Sequence, residues 1–544
     1  MAEFQTNSIR NLALVGHGGE GKTTLTEAML FAAGHVDRQG RVEDGTAAMD
    51  YDPEETKRHI SIGTALAPIE WNKHKINVVD VPGYFDFVGE MCGALRVVKT
   101  AGIVAGAVSG LTVGAEKAWA QAEKNGVCRM VIVSRMDTEN ANYNKVVEQF
   151  RDKFGTSVVP LLLPIGEGAS FKGVVNVLEN KAWEGAGKTL KEVPVPANMA
   201  DDIQSALEAI TEAAAGADDD LMMKYLEGEE LTAEEILQGF HAGMLNGAIV
   251  PVIPVSSTTG IGVAKMLDAF VTYLPSPEGA EMKGVNTKTD AEVSVKCDAD
   301  APFSAFVFKT VADPFVGKLS LVRVCSGKLT AATALYNANA EKNEKAGGLF
   351  TMRGKKQTAA TTLYAGDLGA LSKLQYTNSG DTLCDAANPV KFAPIDYPVP
   401  CIAKAISAAK QGEEDKIFSG LTRLQEEDPS IKVEKNVETT ETLVSGQGEL
   451  HLDVIRNKLA SKFGAQANLN DPKIPYRETI RKTVSCQGRH KKQSGGHGQF
   501  GDVWIEFGPI GDTNVDFEFV DAVVGGAVPR NFIPLLKRVC VKTS

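Results

Sequence analysis

Four short clusters in this chain carry residue types that can do chemistry. The first is Gly16-His17-Gly18-Gly19-Glu20-Gly21-Lys22-Thr23, which has the glycine spacing of a phosphate-binding loop and runs into Thr24. A glycine turn that opens a helix points backbone N–H groups at an anion. Lys22 is placed to reach the β- and γ-phosphates of a nucleoside triphosphate, and the Thr23 hydroxyl to ligate Mg²⁺. The second is Asp80-Val81-Pro82-Gly83-Tyr84. Its carboxylate can hold Mg²⁺ through water, and the Gly83 N–H can contact a γ-phosphate. The third is Ser134-Arg135-Met136-Asp137. An aspartate there can accept two hydrogen bonds from guanine N–H groups, whereas adenine has no N1 proton to offer. The fourth is Ser256-Ser257, whose backbone would cover the base. Taken in this order, the four clusters describe a site for GTP and Mg²⁺.

Such clusters work only if strands deliver them to one edge. Each follows a strand-like segment: a short apolar run of buried-strand type at 12–15, a strand at 75–79, a buried strand at 130–133 and a last strand at 252–255. Residues 24–33 read as a helix with Leu25, Met29 and Ala32 on one face. The pattern predicts an α/β P-loop domain with a doubly wound sheet. The 544 residues leave room for several further domains. Eight cysteines without a CxxC pair suit a reducing cytosol better than a disulfide framework. The N-terminus lacks the apolar core of a signal peptide, and the apolar stretch 103–113 is too short to span a bilayer. A net charge of −12 argues against the whole surface binding nucleic acid, though not against a local basic patch. We therefore expect a cytoplasmic monomer with no membrane partner.

The chain resembles the translational GTPases, specifically elongation factor G. Residues 49–62 (Met49-Asp50-Tyr51 through Arg58-His59-Ile60-Ser61-Ile62) are similar to the family's first switch, with Ser61 where a Mg²⁺-binding threonine normally stands. Residues 80–87 are similar to its second switch, and Leu274-Pro275-Ser276-Pro277 to the end of its GTP-binding domain. Ser445-Gly446-Gln447-Gly448-Glu449-Leu450-His451-Leu452 and Tyr476-Arg477-Glu478-Thr479 resemble family signatures. Several positions depart from the family. Tyr84 stands where the family carries the histidine that orients the attacking water, and a tyrosine lacks the cationic character of histidine. Gly19 stands where many members have an aspartate tied to a monovalent cation. Ser134 and Arg135 replace an asparagine and a lysine that brace the loop and stack over guanine, and His59 replaces a glycine. With Tyr84 and Lys22 as the catalytic residues, the resemblance implies slow or ribosome-triggered hydrolysis.

The remaining sequence divides accordingly. We expect a GTP-binding domain over 1–282 with an insertion at about 160–249. The insertion starts with strand-like 171–175 and continues as acidic helix, with Leu221 and Tyr225 on one face. Short strands at 293–295, 303–309, 318–326, 334–337 and 363–371 predict a β-barrel over 283–397. Strands at 402–406, 430–437 and 442–444, with helices at 415–426 and 448–463, predict an α+β ferredoxin-like domain over 398–475. An incomplete fourth α+β domain is expected over 476–544, with strands at 503–507 and 517–520 and with Trp504 and Phe519 poorly packed. A basic island (Arg477, Arg481, Lys482, Arg489, Lys491) leads into a flexible loop at 493–500 that resembles the tip reaching the decoding region. The family pattern continues from Ile533-Pro534 as Ala-Val-Glu-Lys-Gly, and one permitted set of codons for the tail restores it in a shifted frame. The resemblance thus implies a truncated reading that lacks a fifth domain. Its implied partners are the ribosome, through rRNA and stalk proteins, and indirectly tRNA–mRNA. The implied role couples GTP hydrolysis to translocation or ribosome recycling. Two alternatives stand: a ribosome-binding factor that holds GTP and hydrolyses it negligibly, and a metabolic P-loop enzyme.

Overall fold

The strand that feeds the phosphate loop, β1 (Ile9–Val15), is buried on both faces, with Leu12, Ala13 and Leu14 fully covered. That is why its sequence reads as an unbroken apolar run rather than an alternation. In the computed structural model, which describes residues 3–313, 317–476, 480–510 and 517–543, β1 lies inside a seven-stranded sheet. Its neighbours are β2 (Ala65–Trp71), β3 (His74–Asp80), β4 (Thr100–Gly106), β5 (Cys128–Ser134), β6 (Val158–Pro160) and the strand Val250–Pro254. The order is β2-β3-β1-β4-β5-(Val250–Pro254)-β6, parallel throughout except for the antiparallel edge strand β2. The order reverses direction at β1, flanked by β3 and β4, so the loop leaving β1 opens at the crevice where such sheets bind ligands.

Helices α1 (Lys22–Ala32), α2 (Pro53–Arg58), α3 (Val88–Leu95), α4 (Val113–Lys124) and α5 (Tyr143–Phe154) complete this region with Val263–Tyr273. Leu25 and Met29 of α1 are buried as expected, but Ala32 is exposed, and Ala28 and Leu30 extend the buried face instead. Between β6 and Val250–Pro254 the chain forms a four-stranded antiparallel sheet and three helices, Ala200–Ala215, Asp219–Leu226 and Ala233–Asn246. Leu221 is buried there, whereas Tyr225 is 40% exposed, so the two do not share a buried face. Asp218 caps that helix through Asp220 and Leu221 N–H.

The barrel-like region is built on an eight-stranded antiparallel sheet. The run expected as one strand at 363–371 is two, Thr362–Tyr364 and Leu368–Ser372, because Gly366 turns the chain at φ +90°. Part of its core is continuous with that of the seven-stranded sheet and its helices. Lys75 Nζ, 2.8 Å from both carboxylate oxygens of Asp367, joins the two through a buried ion pair. The next region is a βαββαβ unit: Ile402–Ala408, helix Glu414–Glu427, Lys432–Lys435, Thr442–Gly446, helix Glu449–Phe463 and Ala467–Asn470.

Compactness divides the chain into Met1–Pro472 and Lys473–Ser544. The second unit contains a long hairpin, Val484–Ser494 paired with His497–Phe507. The loop expected over 493–500 is mostly strand. Only Gly495-Gly496 turns, with Gly495 at φ +79°. Residues 517–520 form no strand, and Trp504 is 66% exposed. Arg477, Glu478 and Thr479 lie outside the described residues.

Candidate nucleotide-binding site

The phosphate loop closes on itself through Lys22. Its ammonium donates to the Gly16 and His17 carbonyls at 3.1 and 2.7 Å, at the start of α1. Gly83 comes so close from the second switch that a Cβ there would sit 2.2 Å from Lys22 Nζ and 2.7 Å from Gly18 N. Burial pushes Lys22 below the ordinary lysine range, against the opposing pull of Asp80, Glu20 and Asp50. Burial and then the Asp50 charge push Asp80 up. These shifts describe a cation and carboxylates gathered in a dry space.

The expected metal-binding residues converge. Thr23 Oγ1 and Ser61 Oγ are 2.9 Å apart, at the start of α1 and just beyond α2 respectively. Asp80 Oδ1 and the Asp50 carboxylate oxygens are buried without a hydrogen bond of good geometry among the described residues, while the Ser61 and Thr23 hydroxyls lie near enough to pull the Asp50 and Asp80 carboxyls down against their burial. Two hydroxyls beside buried carboxylate oxygens form a hard oxygen set, the donor chemistry that Mg²⁺ takes. Residue type and spacing do not single out Asp50 as a site residue. Its one signal in the sequence is its place in the first-switch segment.

At the base end, the two substituted residues both brace the phosphate loop. Ser134 Oγ donates to the Glu20 carbonyl at 2.8 Å, and the Arg135 guanidinium donates to the Gly19 carbonyl. The Glu20 carboxylate turns away, accepting from Gly106 N–H and Ser109 Oγ at 2.8 Å each, so only its backbone faces the loop. Asp137 is half-buried. The Met136 N–H reaches the Val255 carbonyl at 3.3 Å, which brings the Asp137 and Ser256-Ser257 loops together. Ser256 Oγ accepts from Thr259 N–H at 3.1 Å, and Gln39 Nε2 donates to the Ser257 carbonyl at 3.0 Å.

Buried carboxylates that sequence reasoning passes over hold the first switch. Glu27 accepts from the N–H groups of Gly40, Ala48 and Met49. Glu55 accepts from Asp52, Ile62 and Gly63 N–H, each at 2.9 Å. The Asp52-x-x-Glu55 spacing of a capping box is the available signal for the second of these. At His59 the backbone is left-handed, φ +54°, which is where the resembled family has its glycine.

The second switch runs on from Tyr84 into the βαββαβ region. Asp86 Oδ1 accepts from His451 N–H at 3.2 Å, at the start of helix Glu449–Phe463, and the Phe87 ring meets the His451 ring edge-on. Ile62, Phe87 and Val454 form a small shared core. Arg58 pairs with Asp453, and Asp52 lies 3.5 Å from Lys458. Both switches are thus read by one helix. A cleft of about 720 Å³ lies among these segments and the barrel-like region, with Glu55, Phe87, Lys309, His451 and Lys458 in its walls.

Comparison with known proteins fits this arrangement. The model of the elongation factor Tu GTP binding domain matches residues 7–276. Models of elongation factor G domain 2, domain III and domain IV match residues 302–386, 397–471 and 472–543. A crystal structure of a Thermus thermophilus protein is similar at 34% identity and TM-score 0.84, over 98% of this chain and 77% of that one. This chain belongs to the elongation-factor-G-like translational GTPases. Its first domain is of the GTP-binding family, and the barrel-like, βαββαβ and fourth regions are those of elongation factor G. Among the described residues no helix is long and apolar enough to cross a membrane.

Proposed function

We propose that this protein binds Mg²⁺·GTP and hydrolyses it on the ribosome, coupling the reaction to translocation or recycling. The observation that carries this reading is the Thr23–Ser61 contact of 2.9 Å, with the buried Asp80 Oδ1 unpartnered, because the contact joins the phosphate loop and the first switch at one point. Thr23, Ser61 and Asp80 would hold Mg²⁺, which would neutralise phosphate charge. Lys22 leaves its loop carbonyls to pair with the β- and γ-phosphates, and the Gly83 N–H meets the γ-phosphate. The Asp137 carboxylate takes the guanine N–H pair, and Ser256-Ser257 covers the base. In the reaction a water oxygen bonds to the γ-phosphorus as its bond to the bridging oxygen breaks. The bridging pair leaves on GDP, and the water proton passes to the released phosphate. Tyr84 hydrogen-bonds that water without exchanging a net proton.

The ribosome is the expected partner because the Asp86–His451 and Arg58–Asp453 contacts give both switches a readout in the elongation factor G-type region. In the second unit, the exposed hairpin carries Arg489, Lys491 and Lys492, a charge pattern suited to phosphate backbones. A second reading, GTP held with negligible hydrolysis, is favoured by tyrosine at position 84. Ribosome-stimulated GTP turnover by the full chain tests both readings. We expect turnover that Lys22→Ala abolishes, with GTP affinity lowered by at least about 100-fold because phosphate charge is left uncompensated. Binding without turnover would establish the second reading. Normal GTP affinity in Lys22→Ala would contradict both.

A further inference from the structure

The phosphate loop contains one glycine that its backbone does not require. Gly16, Gly19 and Gly21 have φ of +130°, +83° and +87°, where other residues are strained. Gly18 is not in that region, so any L-residue could take its conformation. What a side chain there would meet is the Tyr84 ring. A Cβ on Gly18 would lie 2.9 Å from Tyr84 Cε2, 3.1 Å from Cδ2 and 3.3 Å from Cζ. The ring of the residue at the catalytic position occupies the space a side chain at 18 would fill.

The backbone on each side of this contact is fixed. Gly83 rests on the loop, and the Tyr84 carbonyl accepts from Phe87 N–H at 3.0 Å. The adjoining pair is matched as well. The His17 ring lies edge-on to the Phe85 ring at 5.9 Å, and Lys117 Nζ sits 3.9 Å from the Phe85 ring centroid. Residues 17 and 18 therefore meet residues 85 and 84 in register. Tyr84 is 41% exposed, so its outer edge remains open to solvent while one face rests on Gly18.

We propose that Gly18 is a positioning residue for Tyr84: the missing side chain lets the phenol ring lie on the phosphate loop, and this holds its hydroxyl where water meets the γ-phosphate. The proposal rests on the GTPase reading above and adds to it a partner for Tyr84. A methyl group at 18 would push the ring outward and misplace the hydroxyl without removing any phosphate contact. Misplacement of a catalytic group by about an ångström can cost on the order of 100-fold in rate.

The test is a double-mutant cycle on the full chain with purified ribosomes. It measures single-turnover GTP hydrolysis and, separately, affinity for a fluorescent GTP analogue. Gly18→Ala and Tyr84→Phe are each expected to slow hydrolysis at least 10-fold, with analogue affinity within threefold of wild type. The double variant should be no slower than Tyr84→Phe alone, because without the hydroxyl its placement no longer matters. Losses that multiply in the double variant, or a Gly18→Ala enzyme as fast as wild type, would overturn the proposal while leaving the GTPase reading intact. So would a Gly18→Ala protein that no longer binds the analogue, since the glycine would then serve the loop itself. Gly18→Ser provides a second, independent arm with the same expectations. Wild type that hydrolyses no faster than Lys22→Ala would overturn the proposal and the hydrolysis reading together, with analogue binding showing whether the nucleotide site survives.

Discussion

Glu27 offers a direct measure of how the first switch is held. Its carboxylate is 1% exposed and accepts three backbone N–H groups from the loop before α2: Gly40 at 3.2 Å on Oε2, and Ala48 and Met49 at 2.7 and 3.2 Å on Oε1. Burial raises its pKa, and the three N–H groups oppose that shift. A hydrogen bond to a charged group contributes about 1.5–3 kcal/mol, so three would set an upper bound of roughly 4.5–9 kcal/mol. Much of the segment between them is exposed, and water would partly replace the lost acceptor there. We therefore expect Glu27→Ala to destabilise the closed loop by about 2–4 kcal/mol. Amide hydrogen exchange reads this directly. Exchange at Gly40, Ala48 and Met49 should speed up by about 30- to 1000-fold, at 1.4 kcal/mol per tenfold, while β1 and β4 amides stay unchanged. Glu27→Gln separates the two oxygens. Its Oε1 can keep Ala48 and Met49, but its amide group opposes the Gly40 N–H, so Gly40 alone should lose protection. Because Met49 leads through Asp50 to α2 and Ser61, the alanine variant should also release Mg²⁺·GTP analogue faster. Exchange at Ala48 and Met49 within threefold of wild type in Glu27→Ala would refute the reasoning.

Two further outcomes are expected. Asp137→Asn should weaken GTP by about 10- to 100-fold and improve binding of xanthine nucleotides, whose extra carbonyl needs a donor; equal competition by ATP and GTP against wild type would sink the guanine assignment. Burial and then the Asp50 charge raise Glu55 from 4.5 to about 7. Between those values the folded, nucleotide-free protein holds a proton that the unfolded chain has lost, so this contribution is complete below pH 4.5 and disappears as pH rises through 7. The span corresponds to about 3 kcal/mol. Thermal unfolding midpoints of Glu55→Gln should therefore vary less with pH than those of wild type over that range; identical slopes would show that Glu55 titrates normally.

What the sequence makes legible is the set of strand-end loops. Apolar runs of β1, β3 and β5 are buried on both faces, and the glycines and charged residues that interrupt them mark where each run ends. Of the carboxylates that hold the switch, Glu55 shows only through its capping-box spacing from Asp52, and Glu27 is not legible at all, because it bonds backbone N–H groups, which leave no residue-type signature in the partner. Barrel strands such as Lys342–Glu344 and Lys356–Ala359 are short, polar and largely exposed, so they show no alternation of apolar residues. Residues 517–520 err in the opposite direction. Phe517 and Phe519 alternate as a strand would, yet no described segment pairs with them, and a strand needs a neighbour to satisfy its backbone. At 493–500 the glycines and polar side chains suggest a loop. Ladder hydrogen bonds are made by backbone, however, so Gly498 and Gly501 pair across an exposed hairpin that buries no apolar face.

The departures from the family pattern bear unequally on function once their contacts are known. Ser134 and Arg135 still donate to the Glu20 and Gly19 carbonyls, so the base loop and phosphate loop remain tied by side chains of different length. His59 accepts a left-handed backbone, at a cost of about 1–2 kcal/mol relative to glycine, and its Nδ1 lies 3.0 Å from the Val42 carbonyl, a local partner that glycine could not provide. Each of these residues keeps a hydrogen-bond partner within the protein. Tyr84 differs in kind, since it puts a phenol where the family carries an imidazole, and its ring lies against a second residue, Gly18. Any difference in turnover from other members should therefore trace to the 18–84 pair rather than to the base site, and base selectivity should survive every substitution at position 84.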